Sequence, residues 1–319
     1  GVFKSTDSGQ HWAHVSANTM MNNVRIVRVD PNNADIVYAG DWNRLYRSSD
    51  GGQNWEIILD AADQPSDGLG TNAIAISPAD GQRLILAGER GLWYSEDGGA
   101  SWDYQFSNRV YDIEFRPGNP QVLYLVRGHA TEARCEFLKS VDGGQSWAVK
   151  TEGWYNPDPS SGNLSDGGAK IAVSPLNPNL VVAGLIGNSK AGDDGYLGTW
   201  KSEDGGESWA LLGPHVGGPY EYSGGPATHK NIMINEGGGG PYQGFYDYVL
   251  AISPFDADII YTGGVSLYKS TDGGTTFNVI GGYQGNTWIH PDMQEITVGP
   301  DGIWLGTDGG IDFTSDEFA

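Results

Sequence analysis

A nine-residue phrase recurs along this chain of 319 residues and constrains its fold more than any other feature. Lys139-Ser-Val-Asp-Gly-Gly-Gln-Ser-Trp147 is a typical copy, with a hydroxyl residue two positions before an aspartate, then glycines, then a final aromatic residue. Six copies are complete and a seventh is truncated. Internal repeats with a period of about 45 residues are typical of propeller blades. The repeated aspartates are Asp7, Asp50, Asp97, Asp142, Asp204, Asp272 and Asp316.

Each copy of the phrase has the composition of a tight hairpin. The aspartate accepts hydrogen bonds from backbone N–H groups, the Ser or Thr adds a local hydroxyl bond, and glycine adopts the positive φ that other residues resist. The aromatic residue supplies a large apolar side chain for the packed side of the hairpin. We therefore assign the aspartates of the six complete copies to structure rather than to catalysis.

A second phrase precedes these hairpins and predicts two buried strands. Ile74-Ala-Ile-Ser-Pro78 leads to Leu84-Ile-Leu-Ala-Gly88, and Val249–Pro254 leads to Ile259–Gly263 in the same way. Short apolar runs separated by a turn indicate strands that are buried on both faces. The repeating unit is therefore strand A, turn, strand B, loop, strand C, hairpin and strand D, which predicts an all-β propeller of four-stranded antiparallel blades. The first unit lacks strands A and B and the last lacks strand D, so we expect five whole and two partial blades in a ring of about seven.

Charge and cysteine content exclude several classes of partner. With 18 basic and 40 acidic residues, the formal net charge is −22, and such a surface repels phosphate backbones and anionic lipids. We therefore expect no nucleic-acid partner. No apolar run approaches the roughly 20 residues needed to span a bilayer, which predicts no membrane insertion. Cys135 is the sole cysteine, so it can form neither an internal disulfide nor a zinc site by itself.

Two further segments, together with the repeat, carry a resemblance to a known family. Gln243-Gly-Phe-Tyr-Asp247 runs into a strand-A phrase, and His290-Pro-Asp-Met-Gln-Glu-Ile296 precedes Trp304-Leu-Gly-Thr-Asp-Gly-Gly-Ile311. The chain resembles the Asp-box (BNR) repeat propellers, and in these segments the sortilin-like, glycosyl hydrolase BNR-repeat proteins, many of them secreted by bacteria. The resemblance implies an extracellular or cell-surface propeller, and it identifies a fold rather than an activity. Gln294 stands where the family pattern His-x-Asp-x-His has its second histidine.

Four long insertions interrupt the repeat, at residues 150–169, 185–198, 211–247 and 281–294. By the strand assignment, each insertion joins strand D to strand A or strand B to strand C, so all four lie on the face opposite the hairpins. Loops grafted on a regular scaffold commonly form binding surfaces. Aromatic residues in them suit sugar recognition, although they could instead pack the glycine-rich loops onto the blades. The candidate ligand-binding residues are Trp154, Tyr155, Tyr222, Tyr242, Tyr246, Trp288 and His290.

Carboxylates near the same face are the candidates for catalysis. A glycoside hydrolase needs two carboxyl groups about 5 to 10 Å apart across one cleft. A sialidase is disfavoured, because Arg116, whose Phe-Arg-Pro setting superficially matches a sialidase arginine motif, falls on a strand-A turn position of the repeat. The candidate catalytic residues are Asp247, Asp292, Glu295 and Asp308.

The sequence predicts no cofactor and no dedicated metal site. The histidines show no close ligand pairing, and the weak calcium candidates Asp193-Asp194 and Asp166-Gly-Gly lack the spacing of a dedicated calcium loop. Solvated turn residues are the better interpretation of both segments.

These observations lead to one main functional prediction and two alternatives. Residues 1–319 are predicted to form a single propeller domain of a longer chain. We expect a secreted or cell-surface module that binds a polysaccharide or a protein partner, including other domains of the same chain, through its insertion-bearing face. The first alternative is a xyloglucanase-like glycoside hydrolase with paired carboxylates, and the second is a structural component of a surface assembly. The ligand, the presence of catalysis and the oligomeric state stay open at this point.

Overall fold

The fold is all-β over the part of the chain that the structure, a computed structural model, describes. The described residues are 1–19, 21–65, 67–132, 134–155, 168–186, 196–212, 247–283, 285 and 288–318. Beside the strands they contain one 3-10 helix, Ala61–Asp63, which Asp60 caps by accepting the Ala62 N–H. No helix in these ranges has the length and apolar character needed to cross a membrane.

The strands of the described residues form seven sheets that follow one another along the chain. The first sheet contains β1 (Phe3–Lys4) and β2 (Ala13–His14). The second contains β3 (Ile26–Asp30), β4 (Asn33–Gly40), β5 (Arg44–Ser48) and β6 (Glu56–Asp60). The third contains β7 (Thr71–Ile76), β8 (Leu84–Gly88), β9 (Gly91–Ser95) and β10 (Asp103–Phe106).

The remaining four sheets continue the same pattern until the last one. The fourth contains β11 (Val110–Phe115), β12 (Leu123–Gly128), β13 (Cys135–Ser140) and β14 (Ala148–Lys150). The fifth contains β15 (Gly168–Val173), β16 (Val181–Ile186), β17 (Tyr196–Ser202) and β18 (Ala210–Leu211). The sixth contains β19 (Val249–Ile252), β20 (Ile260–Gly263), β21 (Leu267–Ser270) and β22 (Asn278–Gly281). The seventh contains β23 (Met293–Gly299), β24 (Gly302–Thr307) and β25 (Gly310–Thr314).

Five sheets therefore have four strands, the first has two and the last has three, as the repeat predicts. Neighbouring strands in sequence are neighbours in each sheet, so every blade is a simple up-and-down antiparallel meander. The two inner strands are the apolar phrases of the sequence, and all residues of β8 and β16 are buried. The outer strand is mostly exposed or half-buried, as in β10 and β14, because only one of its sides meets other strands.

The repeated hairpins are closed by a hydrogen-bond network that stays within nine residues. In the third copy the Ser95 hydroxyl donates to Asp97 Oδ1 at 2.9 Å and accepts the Gly99 N–H at 3.0 Å. The Ser101 N–H donates to Asp97 Oδ1 and the Ser101 hydroxyl to Asp97 Oδ2. Gly98 and Gly99 have φ of +70° and +92°, a region that L-residues with a Cβ disfavour.

The other complete copies repeat this network with small changes in the last partner, and the truncated seventh copy keeps its hydroxyl bonds. The hydroxyl-to-aspartate contact is 2.8 Å for Ser5 and Asp7, and 2.6 Å for Thr314 and Asp316 in the seventh copy. Hydrogen bonds from the fourth residue after the aspartate hold the carboxylate in its ionised form, and those from Ser101 lower the pKa of Asp97 to about 2. The assignment of these aspartates to structure rather than to catalysis stays a prediction.

Two compact units can be distinguished among the described residues. Unit 1 comprises Gly1–Phe115, Asn119–Arg127 and Ser140–Trp147, and unit 2 comprises Arg116–Gly118, Gly128–Lys139 and Ala148–Ala319. Unit 1 has a core of inner-strand residues such as Leu84, Leu86 and Trp93, each with no exposed surface. Unit 2 has corresponding clusters around Val182 and Ile260 and around Leu267 and Leu305. That residues 1–319 act as a single domain stays a prediction.

The strands that flank the four insertions of the sequence show which connection of the sheet each insertion forms. Residues 150–169 join β14 to β15, 211–247 join β18 to β19, and 281–294 join β22 to β23, which are all D-to-A connections. Residues 185–198 join β16 to β17, a B-to-C connection. In an antiparallel meander these connections leave from the sheet edge opposite the C-to-D hairpins.

We expect the buried hydrogen bonds of the hairpin network to contribute more to stability than the exposed ones. Ser95→Ala removes the acceptor of the buried Gly99 N–H and should lower the free energy of unfolding by about 1–3 kcal/mol. Ser101→Ala removes a hydroxyl from the exposed side of the same aspartate and should cost less than about 1 kcal/mol. Urea denaturation of both variants checks this difference. Equal losses of unfolding free energy in the two variants would show that the buried hydrogen bond contributes no more than the exposed one.

Candidate functional site

Three of the four candidate catalytic carboxylates meet within unit 2. Asp247 lies two residues before β19, Asp292 immediately precedes β23, and Asp308 lies in the two-residue turn between β24 and β25. Each position is at the strand edge where D-to-A and B-to-C connections leave the sheet. The carboxylates come from separate parts of the sequence and are brought together by the packing of the sixth sheet against the seventh, where β19 contacts β23.

Gln294 joins two of these carboxylates. Its Nε2 donates to Asp247 Oδ1 at 2.7 Å and to Asp308 Oδ1 at 2.8 Å. Because both oxygens contact the same nitrogen, they lie no more than about 5.5 Å apart. Gln294 is placed there by a β-bulge: Met293 pairs with Thr307 and Glu295 pairs with Gly306, so Gln294 is the extra residue. Bulges commonly redirect a side chain next to functional sites.

The backbone around Asp292 is held in an unusual conformation. Asp292 has a φ of +67°, in the left-handed region that is costly for a residue other than glycine. Its N–H donates to the Val265 carbonyl at 3.1 Å, and its own carbonyl accepts the Asp308 N–H at 3.2 Å. These two bonds tie the segment before β23 to the turns of both neighbouring hairpins and maintain the strained conformation.

Burial and mutual repulsion change the proton affinity of this cluster. Asp247 has no exposed surface, and burial together with the charges of Asp292 and Asp308 raises its pKa from 3.8 to about 7. Burial and the charge of Asp308 also raise the pKa of Asp292, while His290 opposes that shift. The hydrogen bond from Gln294 lowers the pKa of Asp247 but is outweighed by burial. Asp247 is therefore a carboxyl group that carries a proton over much of the range below neutral pH.

Two carboxylate oxygens of the cluster have no hydrogen-bond partner among the described residues. They are Asp247 Oδ2 and Asp292 Oδ1, both buried. A buried unpaired oxygen is costly when it is charged, and protonation relieves that cost. No group of three or more His, Cys, Asp or Glu side chains in the described ranges has an arrangement suited to a metal ion.

The remaining sequence candidates have varied surroundings. Glu295 is half-buried in β23, where it faces Gly306 rather than occupying the bulge. Trp154 is buried, and its indole N–H donates to the Cys135 carbonyl at 3.1 Å while its ring packs edge-on against Trp209. It therefore offers little surface to a ligand. Tyr155 is half-buried and its ring lies 5.3 Å from that of Trp200.

Trp288 and His290 lie on the exposed side of the segment that leads to Asp292. Ile289 between them is buried and anchors the segment in the core of unit 2, and its carbonyl accepts the Gly282 N–H. Trp288 is fully exposed, with a relative accessibility of 102%. His290 is exposed and lies so close to Gly309 that a Cβ there would be 2.4 Å from His290 Cγ. Glycine at 309 thus allows the histidine to approach the turn that carries Asp308.

Three of the candidate aromatic residues lie outside the described residues, namely Tyr222, Tyr242 and Tyr246. The calcium candidates Asp166, Asp193 and Asp194 also lie outside them. Gln294 is the functional residue that sequence reasoning undervalued. The available signal was its position, because Gln294 stands where the family pattern His-x-Asp-x-His has its second histidine.

The hairpin network and the up-and-down sheets define the class: the chain is a β-propeller of the Asp-box-like (BNR) type. A family model described as sortilin, neurotensin receptor 3 (Sortilin-Vps10) matches residues 1–152. The crystal structure of an ancestral GH74 enzyme superposes with a TM-score of 0.58 at 19% identity, covering 91% of this chain and 37% of that one. At this identity the likeness concerns the fold alone.

Two curated relatives share part of the sequence. A xyloglucanase of a Paenibacillus species is 31% identical over 223 residues, which are 66% of this chain and 18% of the relative. The photosystem II assembly lipoprotein Ycf48 of Synechococcus sp. (strain CC9902) is 29% identical over 148 residues, which are 44% of this chain and 40% of the relative. The chain thus spans well under half of either protein.

The protonated state of Asp247 generates a pH prediction. Its folded-state pKa of about 7 lies above the ordinary 3.8, so the folded protein binds an extra proton between these values and loses stability as pH rises through them. Asp247→Asn has the same shape without the charge. Between pH 4 and pH 8 the native protein should lose on the order of 2 to 4 kcal/mol more unfolding free energy than this variant.

Denaturant unfolding at several pH values measures this difference. Asp256→Asn, the same substitution in an exposed turn of the sixth sheet, is the matched control and should follow the native pH dependence. Parallel pH curves for the native protein and Asp247→Asn would show that Asp247 is ionised in the folded state.

Proposed function

We propose that this protein is an extracellular propeller module that binds a polysaccharide through a surface in unit 2 formed by Trp288, His290, Asp292, Gln294 and Asp308. We call this set the carboxylate surface. The observation that carries the proposal is the full exposure of Trp288 on a segment whose next residue, Ile289, is firmly buried. The segment is anchored, yet its largest apolar side chain is directed to solvent.

The chemistry of these side chains suits a sugar ligand. The flat apolar face of an indole packs against the C–H face of a pyranose ring, and tryptophan loses little conformational freedom when it does so. Carboxylate oxygens accept hydrogen bonds from sugar hydroxyl groups, and Asp308 is exposed for that role. Gln294 holds Asp308 at 2.8 Å and thereby orients this acceptor before a ligand arrives.

The burial of Asp247 favours binding over catalysis. A general acid must come within hydrogen-bond distance of the leaving-group oxygen. Asp247 has the proton that such an acid needs, but it has no exposed surface and its Oδ1 is occupied by Gln294. We assign it to positioning, as a neutral acceptor that holds Gln294 in place within the carboxylate surface.

A glycan panel tests the binding function. Trp288→Ala should weaken binding to the glycan that the native protein retains by about tenfold or more, since anchoring aromatic side chains dominate such interfaces. Phe255→Ala, which removes another exposed aromatic ring of unit 2 from the turn between β19 and β20, should leave binding unchanged. Isothermal titration calorimetry gives both affinities. No retained glycan, or equal losses in the two variants, would contradict the proposal.

A glycoside hydrolase is the second candidate function. It is favoured by the raised pKa of Asp247 next to two further carboxylates, the pattern in which one group acts as acid and another as base. The stretch shared with a xyloglucanase also supports it. For this function Asp247 would have to become accessible, with Asp292 or Asp308 as the second carboxylate.

Release of reducing ends from xyloglucan separates the two functions. If the protein only binds the glycan, the native protein should release no more reducing ends than the Asp308→Asn or Asp247→Asn variant does. The exposed-turn variant Asp256→Asn serves as the control for nonspecific effects. Release by the native protein that is abolished in Asp247→Asn but kept in Asp256→Asn would replace the binding function by the hydrolase.

A further inference from the structure

A row of alternating charged and aromatic side chains crosses three successive sheets within unit 1. We call it the arginine ladder, and it consists of Trp42, Arg25, Glu89, Arg109 and Tyr111. Arg25 precedes β3 and Trp42 lies between β4 and β5, Glu89 lies between β8 and β9, and Arg109 precedes β11. All these positions are at the D-to-A and B-to-C edge of their sheets, the edge that carries the long insertions in unit 2.

The members of the ladder contact one another in order. The Arg25 guanidinium carbon lies 5.4 Å from the centre of the Trp42 ring. Arg25 NH2 is 3.8 Å from Glu89 Oε1, and Arg109 Nε is 2.7 Å from Glu89 Oε2. The Arg109 guanidinium carbon lies 4.7 Å from the centre of the Tyr111 ring. Glu89 therefore sets the spacing between two arginines, each of which stacks on its own aromatic ring.

Further basic side chains surround the ladder. Arg90 pairs with Asp67 at 3.1 Å, and the Arg127 guanidinium carbon lies 4.8 Å from the centre of the Phe106 ring. Within the ladder two arginines share one carboxylate, Glu89, in a protein whose net charge is −22. The ladder itself therefore has one more positive than negative charge.

Contacts within the fold account for only some of the hydrogen-bond donors and charge of the ladder arginines. Arg25 does connect sheets, because its Nε donates to the Thr71 carbonyl and NH2 to Asn72 Oδ1. Glu89, however, can neutralise only one of the two arginines that it contacts. Their side chains are 38% and 37% exposed, so donors of both guanidinium groups remain accessible to a ligand.

We propose that the arginine ladder binds the carboxylates of a uronic-acid polysaccharide. Arginine is suited to this role because its planar donors match a carboxylate in bidentate fashion. Trp42, which is 41% exposed, supplies a ring for sugar stacking, and Glu89 accepts sugar hydroxyl groups while it keeps the two guanidinium groups apart. A polymer with a carboxylate on each sugar can engage both arginines, which lie on the second and fourth sheets, whereas the single terminal carboxylate of a peptide would engage one of them.

This binding site is independent of the carboxylate surface. The ladder lies in unit 1 and the carboxylate surface in unit 2, and the ligands differ in charge. The negative carboxylate surface suits an uncharged glycan, while the ladder requires an anionic one.

Polygalacturonate is the probe, with xyloglucan as the uncharged comparison. The native protein should bind polygalacturonate, with affinity that falls as sodium chloride is raised from 20 to 500 mM, because ion pairs at an exposed surface are screened. Arg109→Gln should weaken this binding by about tenfold or more. Arg109→Lys keeps the positive charge but lacks the planar guanidinium donors. Its affinity for polygalacturonate should lie between those of the native protein and Arg109→Gln. Affinity electrophoresis and calorimetry measure these changes.

Matched controls keep the outcomes distinguishable. Arg28→Gln, the same charge change within β3 at a residue that is not a member of the ladder, should bind polygalacturonate as the native protein does. Trp288→Ala should also leave polygalacturonate binding unchanged, so failure of the ladder and failure of the carboxylate surface are separate results. Circular dichroism confirms that each variant is folded.

Three outcomes would overturn the proposal. They are absence of polygalacturonate binding at 20 mM salt, an equal loss in Arg28→Gln and Arg109→Gln, and equally tight binding of polyglutamate. The last result would identify a general polyanion or acidic-peptide surface instead of a sugar site.

Discussion

The hydrogen bond between a serine hydroxyl and an aspartate two residues later is the interaction on which the other features of this fold depend. It holds the serine oxygen where it accepts the backbone N–H of the fourth residue after the serine, as Ser95 does for the buried Gly99 N–H. The C-to-D connection is thereby closed in a few residues. The long insertions of the sequence join strands at the other edge of the sheets, and both the carboxylate surface and the arginine ladder lie at that edge.

Local features of the sequence were sufficient to predict most of the fold. The hairpin side chains bond to the backbone of their own segment, and the apolar phrases predict buried strands from composition alone. The strand order and the incomplete first and last sheets could therefore be predicted without knowledge of long-range contacts. The convergence of Asp247, Asp292 and Asp308 could be anticipated only in part. Their common edge follows from the topology, but the contact between them depends on the packing of the sixth and seventh sheets.

Other details of the site depend on interactions that sequence patterns do not encode. Gln294 reaches both Asp247 and Asp308 because of a bulge, which shifts the register by one residue without altering the composition of β23. Trp154 looks like a ligand-binding aromatic residue in a long loop, yet its ring is enclosed by Phe137 and Trp209. The arginine ladder could not be predicted from the sequence because its members are spread over three blades and form no motif within any one segment.

Asp247 links the folding of unit 2 to the composition of the solution. Since this carboxyl group is ionised in the unfolded chain but protonated in the folded one at mildly acidic pH, folding removes a proton from the buffer. The heat of that transfer depends on which buffer gives up the proton. Calorimetric enthalpies of unfolding for this protein are therefore comparable only between buffers whose ionisation enthalpies are matched or subtracted.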